Sequence, residues 1–165
     1  HDTKTGSMGH DRFADNFFFS HMVGRTIETM VCLMVYLCGG VMEKHPRLKI
    51  ICLETGASRM PWWVSRMDEH WEKLPHLVPW QKRRPSEVFN ESVYVGCEPF
   101  EDGLFEWAVE YLGGDRLVLA TDSPHWVSSQ PGQVTGPISA SKKISRDNKR
   151  KVLGENAINL LQLAL

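Results

Sequence analysis

The sequence lacks several features that would assign it to common classes of protein. No apolar run approaches the roughly 20 residues that a membrane-spanning helix needs, and no signal-peptide pattern stands at its start. The formal net charge is only −1, so attraction to nucleic acid is not expected. No glycine-rich phosphate loop follows a predicted strand, which disfavours a nucleotide-binding sheet. Nucleic acid and nucleotides are therefore not the partners that the sequence suggests.

The spacing of the cysteines disfavours two further kinds of site. The four cysteines are Cys32, Cys38, Cys52 and Cys97, and no two of them have CxxC spacing. A zinc knuckle or a redox-active pair is therefore disfavoured. All four lie within apolar runs, which is typical of buried free thiols in a reducing compartment. We accordingly expect a cytoplasmic protein.

Helical and strand patterns alternate along the 165 residues, of which 42% are hydrophobic. This length is sufficient for one domain with a real core. Residues 1–20 and 127–143 have the composition of loops. Apolar spacing predicts helices over residues 26–44, from Pro61 onwards, over 104–112 and after Ser145, and strands over 48–53, 92–97 and 117–120.

This alternation predicts an α/β fold of parallel strands joined by right-handed crossovers. The strands are short continuous apolar runs, as expected for strands covered on both faces. Three strands are too few to close a barrel, and a (β/α)8 barrel needs about 200 residues or more. Residues 1–165 are therefore predicted to form one domain, either a small open sheet or part of a larger barrel.

Polar side chains follow two of the predicted strands. Asp122 and His125 stand just past the 117–120 strand, and Glu54 follows the 48–53 strand. Ligands and catalytic groups gather at this end of parallel strands. Asp122 is thus a candidate metal ligand or proton-transfer base, with His125 beside it and Glu54 as a further candidate. The alternative is a helix-capping Asp, a surface His and a salt-bridging Glu.

A basic run, Lys82–Arg83–Arg84, lies in the proline-rich segment 75–87. Three cations in one loop are suited to holding an anionic substrate or partner. More often such a run is a solvated loop, and both interpretations stay open at the level of sequence.

Four segments, in their order along the chain, resemble the amidohydrolase-2 family, which includes aminocarboxymuconate-semialdehyde decarboxylase. KIICLETGASRMP followed by WWVSRMDEHWE is similar to the family's sixth strand and helix, and GGVMEKHPRLKI to the run before it. RLVLATDSPHW resembles the strand-8 motif, and KRKVLGENAINLL the terminal helix. The resemblance implies the C-terminal half of a (β/α)8 TIM barrel, comprising strands 5/6 to 8 and the final helix.

The resemblance also implies a divalent metal, most often zinc, held at the mouth of the barrel. Family ligands come from an HxH pair on strand 1, a His after strand 5, often a His after strand 6, and an Asp after strand 8. Asp122 matches the strand-8 Asp, His1 is matched to the strand-5 His, and His21 is a second candidate ligand. The sequence departs from the family in two ways, because Thr55 stands at the strand-6 His position and no HxH occurs.

The function implied by the resemblance is that of a metal-dependent hydrolase or decarboxylase acting on a small carboxylated, aromatic compound. The alternative is an inactive fragment, or a scaffold that self-associates through exposed strand edges, since the first-strand ligands are missing. Unpaired strand edges favour a homo-oligomer in either case.

We predict that the isolated chain does not bind zinc tightly. Zinc takes three or four protein ligands, and this sequence offers Asp122 and a small number of imidazoles. Calorimetric titration is expected to show weak or no binding. One zinc ion per chain at submicromolar affinity would contradict the prediction.

Overall fold

The computed structural model describes residues 10–13, 15–98, 101, 103–121, 123 and 131–164. Helices and strands alternate through this part of the chain, as predicted. The strands are β1 (Ile50–Cys52), β2 (Val93–Cys97) and β3 (Leu117–Leu119). The helices are α1 (His10–Phe13), α2 (Phe17–Cys38), α3 (Val41–Lys44), α4 (Met60–Lys73), α5 (Pro85–Ser92), α6 (Phe105–Leu112), α7 (Pro131–Ala140), α8 (Arg146–Arg150) and α9 (Asn156–Leu161).

The three strands form one parallel sheet in the order β1-β2-β3. In the register of the sheet, Ile51 lies opposite Tyr94, and Gly96 lies opposite Val118. The predicted parallel α/β class is therefore confirmed. Because the strands are parallel, the segments that follow them emerge at one edge of the sheet, which we call the carboxyl edge.

The hydrophobic core lies between one face of this sheet and the helices. Leu37 from α2, Val64 from α4 and Phe89 from α5 are buried in one cluster with Val95 and Leu117 from the strands. Phe89 is fully inaccessible to solvent. Burying a side chain of this size stabilises the fold by about 1.5–3 kcal/mol, so this cluster fixes the sheet against its helices.

The opposite face of β1 is largely uncovered. Ile51 and Leu53 are 39% and 49% exposed. A methyl group placed on Gly96 would lie 3.1 Å from Leu53 Cδ2 and 3.4 Å from Ala120 Cβ, so these three residues share a face. We call it the open sheet face (Ile51, Leu53, Gly96 and Ala120). The prediction that this strand is covered on both faces is wrong, since an apolar run does not reveal what packs on its second side.

Helix α2 begins at Phe17, inside the segment that was predicted as a loop. The Asn16 side chain accepts hydrogen bonds from the backbone N–H groups of Phe18 at 3.1 Å and Phe19 at 3.5 Å, which caps the helix. Phe17 and Phe18 are 57% and 68% exposed, so this first turn carries no inward apolar stripe. Without that stripe the periodicity gave no helical signal.

The predicted helix over residues 26–44 is broken at its glycines. Helix α2 ends at Cys38, and Gly40 adopts a left-handed conformation with φ of 79° before α3 begins. A side chain at Gly40 would also meet the Trp80 ring at 2.8 Å, so glycine is required there. None of the described helices, α2 included, has both the length and the apolar character needed to cross a membrane.

Two further helices lie in segments that were predicted as loops. Helix α5 starts at Pro85, where the fixed φ of proline suits a first helical position. Helix α7 runs from Pro131 to Ala140 and includes Pro137. Proline and glycine in these segments masked helices that tertiary packing supports. The predicted N-cap at Ser145 is confirmed, because its hydroxyl accepts the Asn148 N–H at 3.1 Å.

Candidate active site

Three carboxylates follow the first two strands at the carboxyl edge. Glu54 comes after β1, and Glu98 and Glu101 come after β2. Hydrogen bonds join the two segments, because the Glu98 Oε1 atom accepts the Glu54 N–H at 2.8 Å. The edge is thus a connected polar network rather than a set of separate loops.

The Glu101 side chain connects the two segments of this network. It is only 1% exposed. Its Oε1 atom accepts the Ser58 N–H at 2.6 Å and its Oε2 atom accepts the Glu98 N–H at 3.0 Å. One buried carboxylate therefore holds the segment after β1 against the segment after β2, through two charge-assisted hydrogen bonds.

Glu54 has an unusual backbone conformation at this edge. Its φ is 62°, in the left-handed region that side chains other than glycine rarely adopt. Such a conformation costs about 1–3 kcal/mol and clusters at functional sites. Its carboxylate forms an ion pair with Arg25 from α2, and the two side chains are 24% and 19% exposed. The ion pair therefore holds the Glu54 carboxylate in place at the carboxyl edge. A catalytic role for Glu54 stays a prediction.

The segment after β1 also contains two polar side chains with buried atoms that form no hydrogen bond. Thr55 is 7% exposed, and its Oγ1 atom is buried without a hydrogen-bond partner, as are the Nε and Nη2 atoms of Arg59. Burial lowers the pKa of Arg59 to about 10, although the nearby Cys52, Glu101 and Glu98 act to raise it. Arg59 is still a cation at neutral pH.

His21, the second candidate metal ligand, lies on α2 and is partly exposed. Its ring centroid is 5.0 Å from that of Phe17. Arg25 lies one turn further along the same helix, and residues four apart share a helix face. Because Arg25 reaches Glu54, His21 is on the helix face that points towards the carboxyl edge.

The remaining predicted site residues, Asp122, His125 and His1, lie outside the described residues. Strand β3 ends at Leu119, three positions before Asp122. The intervening Thr121 accepts the Ser123 N–H through its hydroxyl at 3.4 Å. Within residues 10–13, 15–98, 101, 103–121, 123 and 131–164, no three His, Cys, Asp or Glu side chains are grouped so as to hold a metal ion.

In the basic run Lys82–Arg83–Arg84, both arginines form ion pairs, and the Lys82 Nζ donates to the Pro79 carbonyl at 2.8 Å. Arg83 contacts Glu91 at 2.5 Å and Glu43 at 3.6 Å. Arg84 contacts Asp68 at 3.4 Å and also pairs with Glu72. These contacts tie the segment to α3, α4 and α5. Both arginines are thus already paired with carboxylates, which disfavours the predicted anion site, and their side chains are 32% and 44% exposed, as expected for a solvated run.

Several cavities adjoin the described residues. One of about 220 Å³ lies between α6 and α7, and Cys97, Glu98 and Glu101 line it at the carboxyl edge. A second, apolar one of about 480 Å³ lies between α2 and α4, with Trp63 and Trp71 in its walls. Only the first adjoins the carboxylate network, so we place the candidate site there.

Three cysteine thiols in the described part of the chain have a raised pKa. Burial raises the pKa of Cys52 to about 11, and burial together with Asp68 raises the pKa of Cys38 to about 11. Burial also raises the pKa of Cys97 well above its ordinary value, whereas Cys32 is exposed. Three of the four thiols are therefore held neutral, as expected for structural cysteines.

These thiols predict a loss of stability at alkaline pH. A folded-state pKa of about 11 against an ordinary value of 9.0 means that the unfolded chain releases the Cys52 proton first. The free energy of unfolding should be unaffected below pH 9 and fall between about pH 9 and 11, by roughly 2–3 kcal/mol for Cys52. Urea unfolding at several pH values measures this, and Cys52→Ser should have a shallower pH dependence. An unchanged slope in that variant would contradict the assignment.

Comparison with known proteins identifies the family. A family model described as Amidohydrolase matches residues 6–163. The chain belongs to the amidohydrolase family. The resemblance inferred from the four sequence segments is thereby confirmed, over nearly the whole chain.

Several of the proteins that this chain is similar to are named as decarboxylases. The 2-amino-3-carboxymuconate-6-semialdehyde decarboxylase of Dictyostelium discoideum is 25% identical over 94% of this chain and 42% of its own length. The crystal structure of 5-carboxyvanillate decarboxylase from Sphingomonas paucimobilis has a TM-score of 0.79 at 25% identity, over 94% of this chain and 46% of that one.

A dihydroxybenzoic acid decarboxylase from Polaromonas sp. JS666, solved with manganese and the inhibitor 2-nitroresorcinol, has a TM-score of 0.74. It is 24% identical, with 93% of this chain and 46% of that one covered, so it shows the fold alone. The chain spans less than half the length of each of these three proteins.

Sequence reasoning missed Glu101, Arg59 and Arg25. Glu98, directly after the predicted strand over residues 92–97, was not among the predicted site residues either. A signal existed for Glu101 and Arg59, since both are charged residues a few positions beyond an apolar strand. Arg25 gave no such signal, because its place beside Glu54 depends on how α2 packs against the sheet.

Proposed function

We propose that this chain forms the C-terminal half of a (β/α)8 barrel whose complete form is a metal-dependent carboxy-lyase. The observation that carries the proposal is the carboxyl edge, where Glu54, Glu98 and Glu101 form one network after β1 and β2, and β2 pairs with β3, the strand that precedes Asp122 in the sequence. Enzymes with parallel β/α units place their catalytic residues at this edge. Membership of the amidohydrolase family supports the same location.

The proposed substrate is a small aromatic carboxylate. The similar protein from Sphingomonas paucimobilis is named for its action on 5-carboxyvanillate, and the Dictyostelium protein is also a decarboxylase. Arg59 adds a partly buried cation, with buried Nε and Nη2 atoms, that complements a negatively charged ligand. These points favour decarboxylation over hydrolysis, the other reaction type that the family resemblance implies.

In the proposed reaction, Asp122 transfers a proton to the ring carbon that bears the carboxylate. The bond from this carbon to the carboxylate then breaks, carbon dioxide leaves, and the electron pair of that bond restores the aromatic ring. His125, three residues beyond Asp122, is proposed to hydrogen-bond the substrate. Glu54, held by Arg25, is the proposed second carboxylate of the site.

A divalent metal ion is part of the proposal for the complete enzyme, although the described residues do not by themselves fit one. The Glu54 carboxylate is paired with Arg25, and the His21 ring lies against the Phe17 ring at a tilt of 37°. Asp122 and His1 remain proposed ligands, and no step of the reaction is assigned to the ion. We expected zinc from the family resemblance, and manganese should be tested beside it because the Polaromonas structure contains it.

The decisive assay uses this chain together with a separately produced segment that carries strands 1 to 4 of a family member. The mixture receives manganese or zinc and 5-carboxyvanillate or a dihydroxybenzoate, and released carbon dioxide is measured. Release is expected only when both halves and an ion are present. If the two halves co-elute and no carbon dioxide is released, the proposed activity is wrong. Cleavage of an ester or amide without carbon dioxide would assign the site to hydrolysis instead.

A second candidate function, a self-associating scaffold, is favoured by one observation. The open sheet face exposes Ile51 and Leu53 beside a strand whose outer edge has no partner among the described residues. Apolar side chains next to unpaired backbone groups promote association between copies.

We predict that Leu53→Lys shifts the chain from an oligomer towards a monomer. A charge on the open sheet face must be desolvated when two copies meet, which opposes their association. Sedimentation velocity of the variant and of the unaltered chain measures the change. Leu161→Lys, at a residue that is 57% exposed on α9, is the matched control and should leave the oligomer intact. Equal effects of the two substitutions would contradict the prediction.

A further inference from the structure

The segment between β1 and α4 contains two hydrogen-bonding groups that the folded chain leaves unused. Thr55 is 7% exposed, and its hydroxyl has no partner. Arg59 has a buried Nε and a buried Nη2 without an acceptor. Buried polar groups are nearly always paired, and each exception needs an explanation. Both exceptions belong to the segment that follows β1 at the carboxyl edge, four residues apart in the sequence.

The carboxylates around Arg59 do not supply the missing acceptor. Glu98 and Glu101 are close enough to influence its charge. However, both Glu101 oxygens accept backbone N–H groups, and Glu98 Oε1 accepts the Glu54 N–H. Burial lowers the pKa of Arg59 to about 10 and the two carboxylates partly oppose this, so Arg59 is a cation at neutral pH, and its Nε and Nη2 hydrogens have no acceptor.

The identity of the two unused nitrogens specifies what is missing. Nε–H and Nη2–H are the parallel donors on one side of the guanidinium, and this pair matches the two oxygens of a carboxylate. The Thr55 hydroxyl is a third donor in the same segment. A planar anion with two equivalent oxygens satisfies these donors better than a single water or carbonyl does.

We infer that Arg59, assisted by Thr55, is the subsite that binds the carboxylate group of the ligand. The inference rests on the proposed function, which makes the substrate a small aromatic acid, and it adds the residues that select the acid over its neutral analogues. It also explains why a buried cation without an acceptor is tolerated, since function is commonly maintained at a cost in stability.

Calorimetric titration of the full chain with benzoate and with benzamide tests the inference. Benzamide has nearly the same shape but lacks the charge and the second oxygen. The unaltered chain should bind benzoate more tightly than benzamide. Arg59→Met should weaken benzoate binding by about tenfold or more and leave benzamide binding unchanged. Arg59→Lys, which keeps the charge but loses the paired donors, should be intermediate, and Thr55→Val should weaken benzoate binding by a smaller factor.

Thermal unfolding separates this role from a structural one. A structural arginine stabilises the fold, so its removal lowers the melting temperature. For Arg59→Met without ligand we expect a melting temperature equal to that of the unaltered chain or higher by about 2–4 °C, because a buried unpaired cation is removed. Benzoate should raise the melting temperature of the unaltered chain and not that of the variant.

Three outcomes would overturn the inference. They are equal benzoate affinity in the unaltered chain and Arg59→Met, no preference for benzoate over benzamide, and a melting temperature of Arg59→Met several degrees below that of the unaltered chain. None of them bears on the reaction, which the carbon dioxide assay measures with Asp122→Asn. Turnover that depends on Asp122 with benzoate binding that ignores Arg59 would refute the subsite alone, and the reverse pattern would refute the proposed function alone.

Discussion

Replacing Glu101 with alanine is expected to lower the free energy of unfolding by roughly 2–4 kcal/mol. The carboxylate is 1% exposed and accepts two backbone N–H groups, from Ser58 and Glu98. Its removal leaves both donors, which are partly buried, without this acceptor. Each such donor loses its hydrogen bond to water as well as its bond to the carboxylate. Urea unfolding followed by circular dichroism measures the change.

Two variants show whether the loss comes from these two hydrogen bonds. Glu101→Gln keeps one oxygen and turns an amide towards the other donor, so it should lie between the unaltered chain and Glu101→Ala. Glu110→Ala removes an exposed carboxylate from α6 and should change stability by no more than about 0.5 kcal/mol. If Glu101→Ala and Glu110→Ala were equally stable, the carboxylate network would not hold the edge together.

Replacing Asp122 with asparagine is expected to reduce carbon dioxide release by about 10²- to 10⁴-fold in the complemented enzyme. Asparagine has almost the same shape but cannot carry a proton, so binding should change less than turnover. The expected pattern is a large fall in kcat with a small change in KM. The assay is the one described above, with 5-carboxyvanillate or a dihydroxybenzoate.

Asp115→Asn is the matched control for this substitution. Asp115 precedes β3, whereas Asp122 follows it, so the two aspartates flank opposite ends of one strand. Asp115 is exposed and pairs with Lys151 at 2.9 Å. Its replacement should leave turnover within about twofold of the unaltered enzyme, since exposed ion pairs contribute little. Comparable losses in both variants would mean that position 122 has no special part in the reaction.

Several parts of the fold were predictable because local sequence decides them. The three strands and the helix over Phe105–Leu112 lie within one or two residues of their predicted ends. Each combines a clear apolar period with a glycine, a proline or a polar cap at its end. Where the period was weak, as at Phe17–Phe19, or interrupted by proline, as in Pro131–Ala140, a helix was taken for a loop.

The candidate site was predictable in position but not in composition. A polar residue directly after a parallel strand signals the carboxyl edge, and Glu54 does lie there. The sequence did not reveal that Arg25 would neutralise it, because that contact joins residues 29 positions apart through the packing of α2. The roles predicted for Asp122, His125 and His1 stay predictions, since these residues lie outside the described part of the chain.

The sequence by itself determined the class of fold, the succession of strands and helices along the chain, and the family, because apolar periodicity and short motifs are properties of neighbouring residues. Tertiary structure alone decided which groups at the carboxyl edge are paired. Glu101 is buried and connects two segments by hydrogen bonds, and Glu54 is paired with Arg25. Arg59 is a cation with two donors that have no acceptor. The physical reason is that hydrogen bonding and burial depend on three-dimensional neighbours, which no local pattern encodes.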